Sequence, residues 1–329
     1  MSLPTSKISE QGVLVLGGSG FIGTRIATEL QSARVPVRIG DLKKSQAFPE
    51  LWSECDVRNE QSLVDLFRGS RAVVNLAAEH RDDVRPISRY RETNVDGAAS
   101  VCRAARDAGV SKIIFTSSVA VYGFQPRPVD ESGPFEPFNP YGQTKLEAEA
   151  VYRAWADEDP TRTLVIVRPT VVFGEGNRGN VYNLLRQIAT GKFLMVGSGD
   201  NVKSMAYVGN VAAFLVHALT FDSGVHIFNY VDGPDMDTNT LVRQILQSLG
   251  KSPSGLRKIP KPVALAGGHL CDAVARMTRR TFPISAIRVR KFCESTQFRA
   301  DRLTETRFAP PYSLSEGLER TIRSEFLAS

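Results

Sequence analysis

The run Gly17-Gly18-Ser19-Gly20-Phe21-Ile22-Gly23 directly follows Val13-Leu14-Val15-Leu16 and opens a stretch with Ile22, Ile26 and Leu30 at helical spacing. A strand, a glycine turn and a helix form a cradle for a dinucleotide. Gly17 allows the tight turn, Gly20 lets the backbone approach a pyrophosphate, and Gly23 lets the helix pack close to the strand. The helix N-terminus, beginning at Phe21 and Ile22, presents N–H groups to the phosphates. Val37 and Ile39 mark a second short strand ending at Asp41, roughly 20 residues beyond the glycines, where an acid meets a ribose 2′-hydroxyl. A carboxylate there accepts from the free hydroxyl and repels a 2′-phosphate, which favours NAD. Lys43 and Lys44, just after it, keep NADP open as a second cofactor.

Beyond the cradle, strand-like and helix-like segments alternate: Ala72–Leu76 as strand, Val95–Ala108 as helix, Lys112–Thr116 as strand, Lys145–Trp155 as helix and Leu164–Val167 as strand. Such alternation predicts an α/β fold of the Rossmann type, a doubly wound parallel sheet with helices on both faces. Four prolines between Tyr122 and Pro140 (Pro126, Pro128, Pro134, Pro137) predict a long loop there. After Phe173 glycines multiply and the alternation lapses. With 329 residues to place, the chain is expected to hold two lobes. A dinucleotide-binding domain takes residues 10–173 with a returning segment at about 205–230, and a smaller substrate lobe takes 174–204 and 231–329.

The formal charge of +6 is modest, with an excess of Lys and Arg between Arg276 and Arg302. No aromatic-rich motif accompanies those cations, so a small polyanionic substrate is expected and nucleic acid is not. Cys55, Cys102, Cys271 and Cys293 are widely spaced and form no metal or disulfide pattern, so no metal is expected. No run reaches the roughly 18 apolar residues of a spanning helix, and cytoplasmic residence without an integral membrane segment follows as the expectation. The segment Ile259–Phe282 mixes apolar residues with Arg276, Arg279 and Arg280. It reads as a helix of the second lobe, with contact to a membrane surface as the alternative.

Tyr141 and Lys145 stand four residues apart behind Pro140, which suits a helix start, so phenol and ammonium share one helix face. A neighbouring cation stabilises the phenolate and lowers the phenol's pKa toward a useful base. Thr116-Ser117-Ser118 ends the strand that begins at Lys112, and parallel α/β sheets bind ligands at the C-terminal ends of their strands.

The chain resembles the extended short-chain dehydrogenases/reductases, the branch of NAD-dependent nucleotide-sugar epimerases and dehydratases. The likeness rests on Gly17-x-x-Gly20-x-x-Gly23, Asp41, Asp56-Val57, Asn75-Leu76-Ala77-Ala78, Asn94-Val95-x-Gly97, Ser117-Ser118-Val119-Ala120-Val121-Tyr122-Gly123, Tyr141-x-x-x-Lys145 and Arg168-Pro169. It implies Ser118, Tyr141 and Lys145 as catalytic residues, with Lys145 also holding the nicotinamide ribose. Asp56 and Val57 would lie by the adenine, Leu76, Ala77 and Ala78 beneath the cofactor, and Pro169 against the nicotinamide. Asn94 would contact the cofactor or brace the sheet. In the second lobe, Asn180, Val181, Lys203 and Arg290 with Lys291 match positions that hold a substrate's nucleotide and pyrophosphate. The resemblance also implies a homodimer built on the helices after Asn94 and Tyr141; the alanines at 98, 99, 104, 105 and 108 would permit close packing there or face the sheet.

Dehydratases of this kind carry an acidic pair after the catalytic serine or threonine, where this chain has Val119 and Ala120. Dehydration is therefore not expected. A C4 epimerase of a UDP-hexose or UDP-N-acetylhexosamine, working through a 4-keto intermediate, is the reading that Asp41 and NAD favour. The alternatives are an NAD(P)H-dependent reductase of a nucleotide 4-keto-6-deoxy sugar, a 3β-hydroxysteroid-type dehydrogenase, and a dinucleotide-sensing regulator without activity.

Overall fold

The computed structural model describes residues 12–81, 84–253, 256–278 and 286–327. Arg279, Arg280, Phe282 and the stretch before Gly12 lie outside the described residues. Along the chain run β1 (Gly12–Leu16), α1 (Phe21–Ser32), β2 (Val37–Asp41), β3 (Trp52–Glu54), α2 (Glu60–Phe67), β4 (Ser70–Asn75) and α3 (Ser88–Arg91). A π-helical turn at Glu92–Asp96 leads into α4 (Gly97–Asp107), then β5 (Lys112–Thr116), a 3-10 turn (Val119–Tyr122), α5 (Pro140–Asp157), β6 (Thr163–Pro169) and β7 (Val171–Phe173). Next come α6 (Asn180–Ala189), β8 (Met195–Val196), β9 (Val202–Tyr207), α7 (Val208–His217), β10 (Gly224–Tyr230), β11 (Asp232–Asp237) and α8 (Thr238–Ser248). β12 (Lys258–Ile259), α9 (Lys261–Thr278), α10 (Ala286–Cys293), α11 (Asp301–Thr304) and α12 (Leu314–Ile322) complete the order.

The chain divides into two compact units. The first takes the described residues up to Val172, Ala206–Val231 and Phe298–Tyr312; the second takes Phe173–Met205, Asp232–Gln297 and the residues from Ser313 on. The sequence assigned 231–329 wholly to the second lobe, but Phe298–Tyr312 belongs to the first unit, where Leu303 and Phe308 pack on its core. Asn229 shows part of the reason, donating to the carbonyl of Arg299 at 2.8 Å.

A seven-stranded parallel sheet in the order β10-β6-β5-β4-β1-β2-β3 organises the first unit. Successive side chains of a strand point to opposite faces, so each strand feeds two cores. Leu14 and Leu16 of β1 join Val73, Ile113 and Phe115 beneath α2, α4 and α5, while Val13 and Val15 join Ile114 and Val165 beneath α1 and α7. Ala98, Ala104 and Ala105 lie in the first of these cores with Ala108 packed against it. The alanine face of α4 therefore meets its own sheet. β3 and α2 were not legible in sequence; α2 is set by Asn59, whose side chain accepts from Gln61 N–H as N-cap.

In the second unit, β9 and β11 pair antiparallel with Lys203 opposite Met236, and β8 pairs parallel with β12. Helix α9 covers part of the segment read as a possible membrane contact, and it packs against α10. Among the described residues no helix is long and apolar enough to cross a membrane.

Candidate active site

The sheet order runs from β1 outward through β2 to β3 and then resumes with β4 on the other side of β1. The C-terminal ends of β1 and β4 thus form the switch point at which such sheets bind ligands. Gly17 turns there with φ +73°, and a Cβ on it would stand 2.8 Å from the backbone N of Ala77, just past β4. The two strand ends that the sequence nominated meet at this glycine.

Several features of the turn fit a dinucleotide. Gly20 is the N-cap of α1, with no side-chain cap and no acid in the first turn. The first amides of the helix, those of Phe21, Ile22 and Gly23, have no intrahelical acceptor. The buried Ser19 hydroxyl oxygen has no hydrogen-bond partner among the described residues. Asp41, at the end of β2, accepts from the N–H groups of Ser19 and Lys43, each at 3.0 Å, which fixes the acid beside the turn. Leu76, Ala77 and Ala78 are half-buried past the end of β4.

Other expected cofactor residues have defined tasks in the structure. Asp56 is held by Arg58 through a 2.6 Å ion pair, and the hydrogen-bonding guanidinium lowers the carboxyl's pKa. Val57 is a core residue that crowds Gly97. Buried Asn94 accepts from Glu79 N–H at 2.8 Å and donates to the Glu79 carbonyl and to Thr144 Oγ1 at 2.9 Å. Those bonds brace the segment after β4 against α5, and Asn94 sits on the π-helical turn that opens the backbone there. Pro169 ends β6 and is buried.

Asn139 caps α5 by accepting from Gly142 N–H at 2.8 Å, and Pro140 occupies the first helical position. Tyr141 therefore lies in the first turn of α5 and Lys145 one turn further on. Gly142 lets the two elements close: a Cβ on it would stand 2.5 Å from the Ala120 carbonyl oxygen. Burial raises the Tyr141 phenol's pKa, and the nearby Ser118 hydroxyl opposes the shift. Ser118 Oγ also accepts from Ala120 N–H at 3.2 Å, which leaves its proton to donate. Lys145 is buried, donates to the Thr116 carbonyl at 2.7 Å and lies 4.5 Å from the Phe115 ring centroid. Burial pushes its pKa down to about 7, against the pull of Glu149.

Glu149 opens a buried network that the sequence did not disclose. It lies one turn after Lys145, accepts from Ser117 Oγ at 2.6 Å and forms a two-pronged pair with Arg168 at 2.8 and 2.6 Å. The Arg168 and Glu149 side chains are 0% and 2% exposed. Arg168 also donates to Tyr122 Oη at 2.6 Å, and Tyr122 donates to Asn229 Oδ1 at 2.8 Å. Burial works to lower the Arg168 pKa, but Glu149 keeps it raised. One signal was available: Arg168 directly follows the apolar run Leu164–Val167, and a buried cation requires a partner.

The expected substrate residues are all in the second unit. Asn180 opens α6 exposed, and Val181 is buried beneath that helix. Lys203 donates to the Glu294 carbonyl at 2.9 Å, just beyond α10, and burial lowers its pKa. Arg290 is exposed on α10, and its carbonyl accepts from Glu294 N–H at 3.1 Å. The structure thus brings Lys203 to the C-terminal turn of the helix that carries Arg290; the Lys291 side chain lies outside the described residues.

Comparison with known proteins places this geometry. The model of the NAD dependent epimerase/dehydratase family matches residues 13–230. The N-acetyl-alpha-D-glucosaminyl-diphospho-ditrans,octacis-undecaprenol 4-epimerase of Escherichia coli O157:H7 is 48% identical over 319 residues, covering 96% of this chain and 95% of that protein. A UDP-glucose 4-epimerase of Vibrio cholerae is 28% identical, covering 73% and 76%. Among solved structures, Thermus thermophilus UDP-glucose 4-epimerase in complex with NAD shares the fold at a TM-score of 0.74 and 22% identity, with 95% and 98% of the two chains covered. The match of a family model over the cradle, α5 and the last strands of the parallel sheet, with a relative that near over almost the whole length, carries one conclusion: the chain belongs to the NAD dependent epimerase/dehydratase family, and its cofactor is NAD.

Proposed function

We propose that this enzyme epimerises C4 of an N-acetylhexosamine joined through a diphosphate to a polyprenol. The observation that carries the reading is the 48% identity, over nearly its full length, to an enzyme named for that reaction. A UDP-sugar shares the hexose and the diphosphate and differs in what the diphosphate carries. It stays as the second reading because UDP-glucose 4-epimerases are also relatives, at 28% identity.

NAD, when bound in the cradle, supplies a hydride acceptor that can give the hydride back. Tyr141 removes the proton of the C4 hydroxyl and later returns it. Ser118 donates to the same oxygen and holds it while the carbonyl forms. Lys145, charged, stabilises the Tyr141 phenolate. Val119 and Ala120 have no ionisable group to move a proton, so the adjacent carbons keep their substituents. Lys203 and Arg290 are the proposed diphosphate contacts, since charge-assisted bonds to phosphate are strong ones. A homodimer through the outward surfaces of α4 and α5 completes the reading, and light scattering in solution tests it.

Incubation with N-acetylglucosaminyl-diphospho-polyprenol, with no added reductant, should interconvert the glucosamine and galactosamine configurations. Mild acid release followed by NMR of the sugar reads the outcome. Interconversion of UDP-N-acetylglucosamine alone would replace the lipid-linked reading with the nucleotide-sugar one. Stoichiometric consumption of NADH or NADPH by a 4-keto sugar, with no interconversion, would replace both with a reductase.

The cofactor assignment has its own test. Asp41→Ala should weaken NADH more than NADPH in fluorescence titrations, because only the unphosphorylated ribose loses an acceptor. Equal losses would remove Asp41 from cofactor selection.

A further inference from the structure

Between Lys251 and Cys293 the chain carries ten Lys and Arg residues and one acid, Asp272. That stretch has a net charge of +9 in a chain whose total is +6, so the remainder is slightly acidic. Helix α9 runs through it. Val263, Leu270, Val274 and Met277 are 61%, 67%, 36% and 85% exposed. At about 100° per residue these four side chains fall within about 60° of arc, a continuous apolar stripe along one face of the helix. Asp272 lies on the opposite face and accepts from Ala286 N–H at 3.1 Å, at the start of α10. The apolar stripe thus carries no negative charge, while Arg257 and Lys258, at the start of β12 just ahead of α9, stand exposed.

We propose that α9 docks this enzyme on an anionic lipid surface, with the stripe at Val263, Leu270, Val274 and Met277 entering the acyl boundary and the surrounding cations meeting lipid phosphates. An exposed apolar stripe and a local excess of positive charge are the two features that surface-lying helices combine. A protein partner of matching shape would satisfy the stripe but not explain why the charge of the whole chain is gathered here. The helix lies on the surface without spanning it. The inference goes beyond the proposed reaction, which it would serve by bringing the enzyme to a lipid-linked sugar.

Co-sedimentation with vesicles of phosphatidylglycerol and phosphatidylethanolamine, and with vesicles of phosphatidylcholine alone, tests it. The parent protein should sediment with the anionic vesicles only, and less as sodium chloride rises. The double variant Leu270→Glu, Met277→Glu should bind at least about 10-fold more weakly, since two large apolar side chains no longer enter lipid. It should keep the parent's circular dichroism, NADH affinity and oligomeric state. Leu270→Trp, which leaves the helix apolar, should tighten vesicle binding. Absence of parent binding, equal binding by the double variant, or no effect of Leu270→Trp would overturn the proposal. So would a changed oligomeric state in the double variant, which would mark the stripe as a contact between copies. The vesicles contain no sugar diphosphate, so docking and the epimerase reading fail or stand separately.

Discussion

Tyr141→Phe lowers turnover by about 10²–10⁴, the span that loss of a positioned acid/base group commands, and leaves fold and cofactor binding intact. The ring remains to fill its place at the start of α5, and only the phenol hydroxyl is lost. Turnover should fall with little change in KM, because the phenol acts on the reacting proton rather than on substrate affinity. Steady-state kinetics with circular dichroism and an NADH titration check the three parts. A variant that turns over at nearly the parent rate would take Tyr141 out of the mechanism.

Glu149→Gln is expected to be the costliest single change to stability. The glutamine keeps the shape but leaves the Arg168 guanidinium charged and fully buried without its counter-ion. Breaking one partner of such a pair costs about 3–5 kcal/mol, whereas replacing both with apolar or neutral groups of similar volume can be close to neutral. Urea unfolding should therefore show a large loss for Glu149→Gln and partial recovery in Glu149→Gln, Arg168→Met. A positioning role has a second signature. Glu149 pulls the Lys145 pKa upward against burial, which has brought it to about 7. Without that carboxylate the lysine loses its proton at lower pH. In the proposed mechanism charged Lys145 is the form that stabilises the phenolate, so the alkaline fall in activity should begin at lower pH in Glu149→Gln. An unshifted pH profile in a folded variant would leave Glu149 a purely structural residue.

Local chemistry made much of this legible in sequence. The glycines at 17, 20 and 23 fix a strand-turn-helix because only they permit that turn and approach. Pro140 ahead of Tyr141 and Lys145 fixes a helix start, and the apolar runs at 112–116 and 164–167 fix parallel strands buried on both faces. Each signal lies within a few residues, where backbone preferences act. Contacts between distant segments were not legible. Phe298–Tyr312 joins the first unit because its apolar side chains and backbone find partners there, and sequence distance carries no trace of that. The use of the α4 alanines was open between a dimer and the sheet until packing placed them in the core. Glu149 reads in sequence as an ordinary helix acid four residues after Lys145. Tertiary structure made it the counter-ion of Arg168, because α5 and β6 close on each other and shield both side chains from solvent, where an unpaired charge is too costly to persist. The glycine cradle, the four-residue spacing of Tyr141 and Lys145 and the parallel sheet could be read from local sequence; folding decided which charges are buried together, and so how the Lys145 pKa is set.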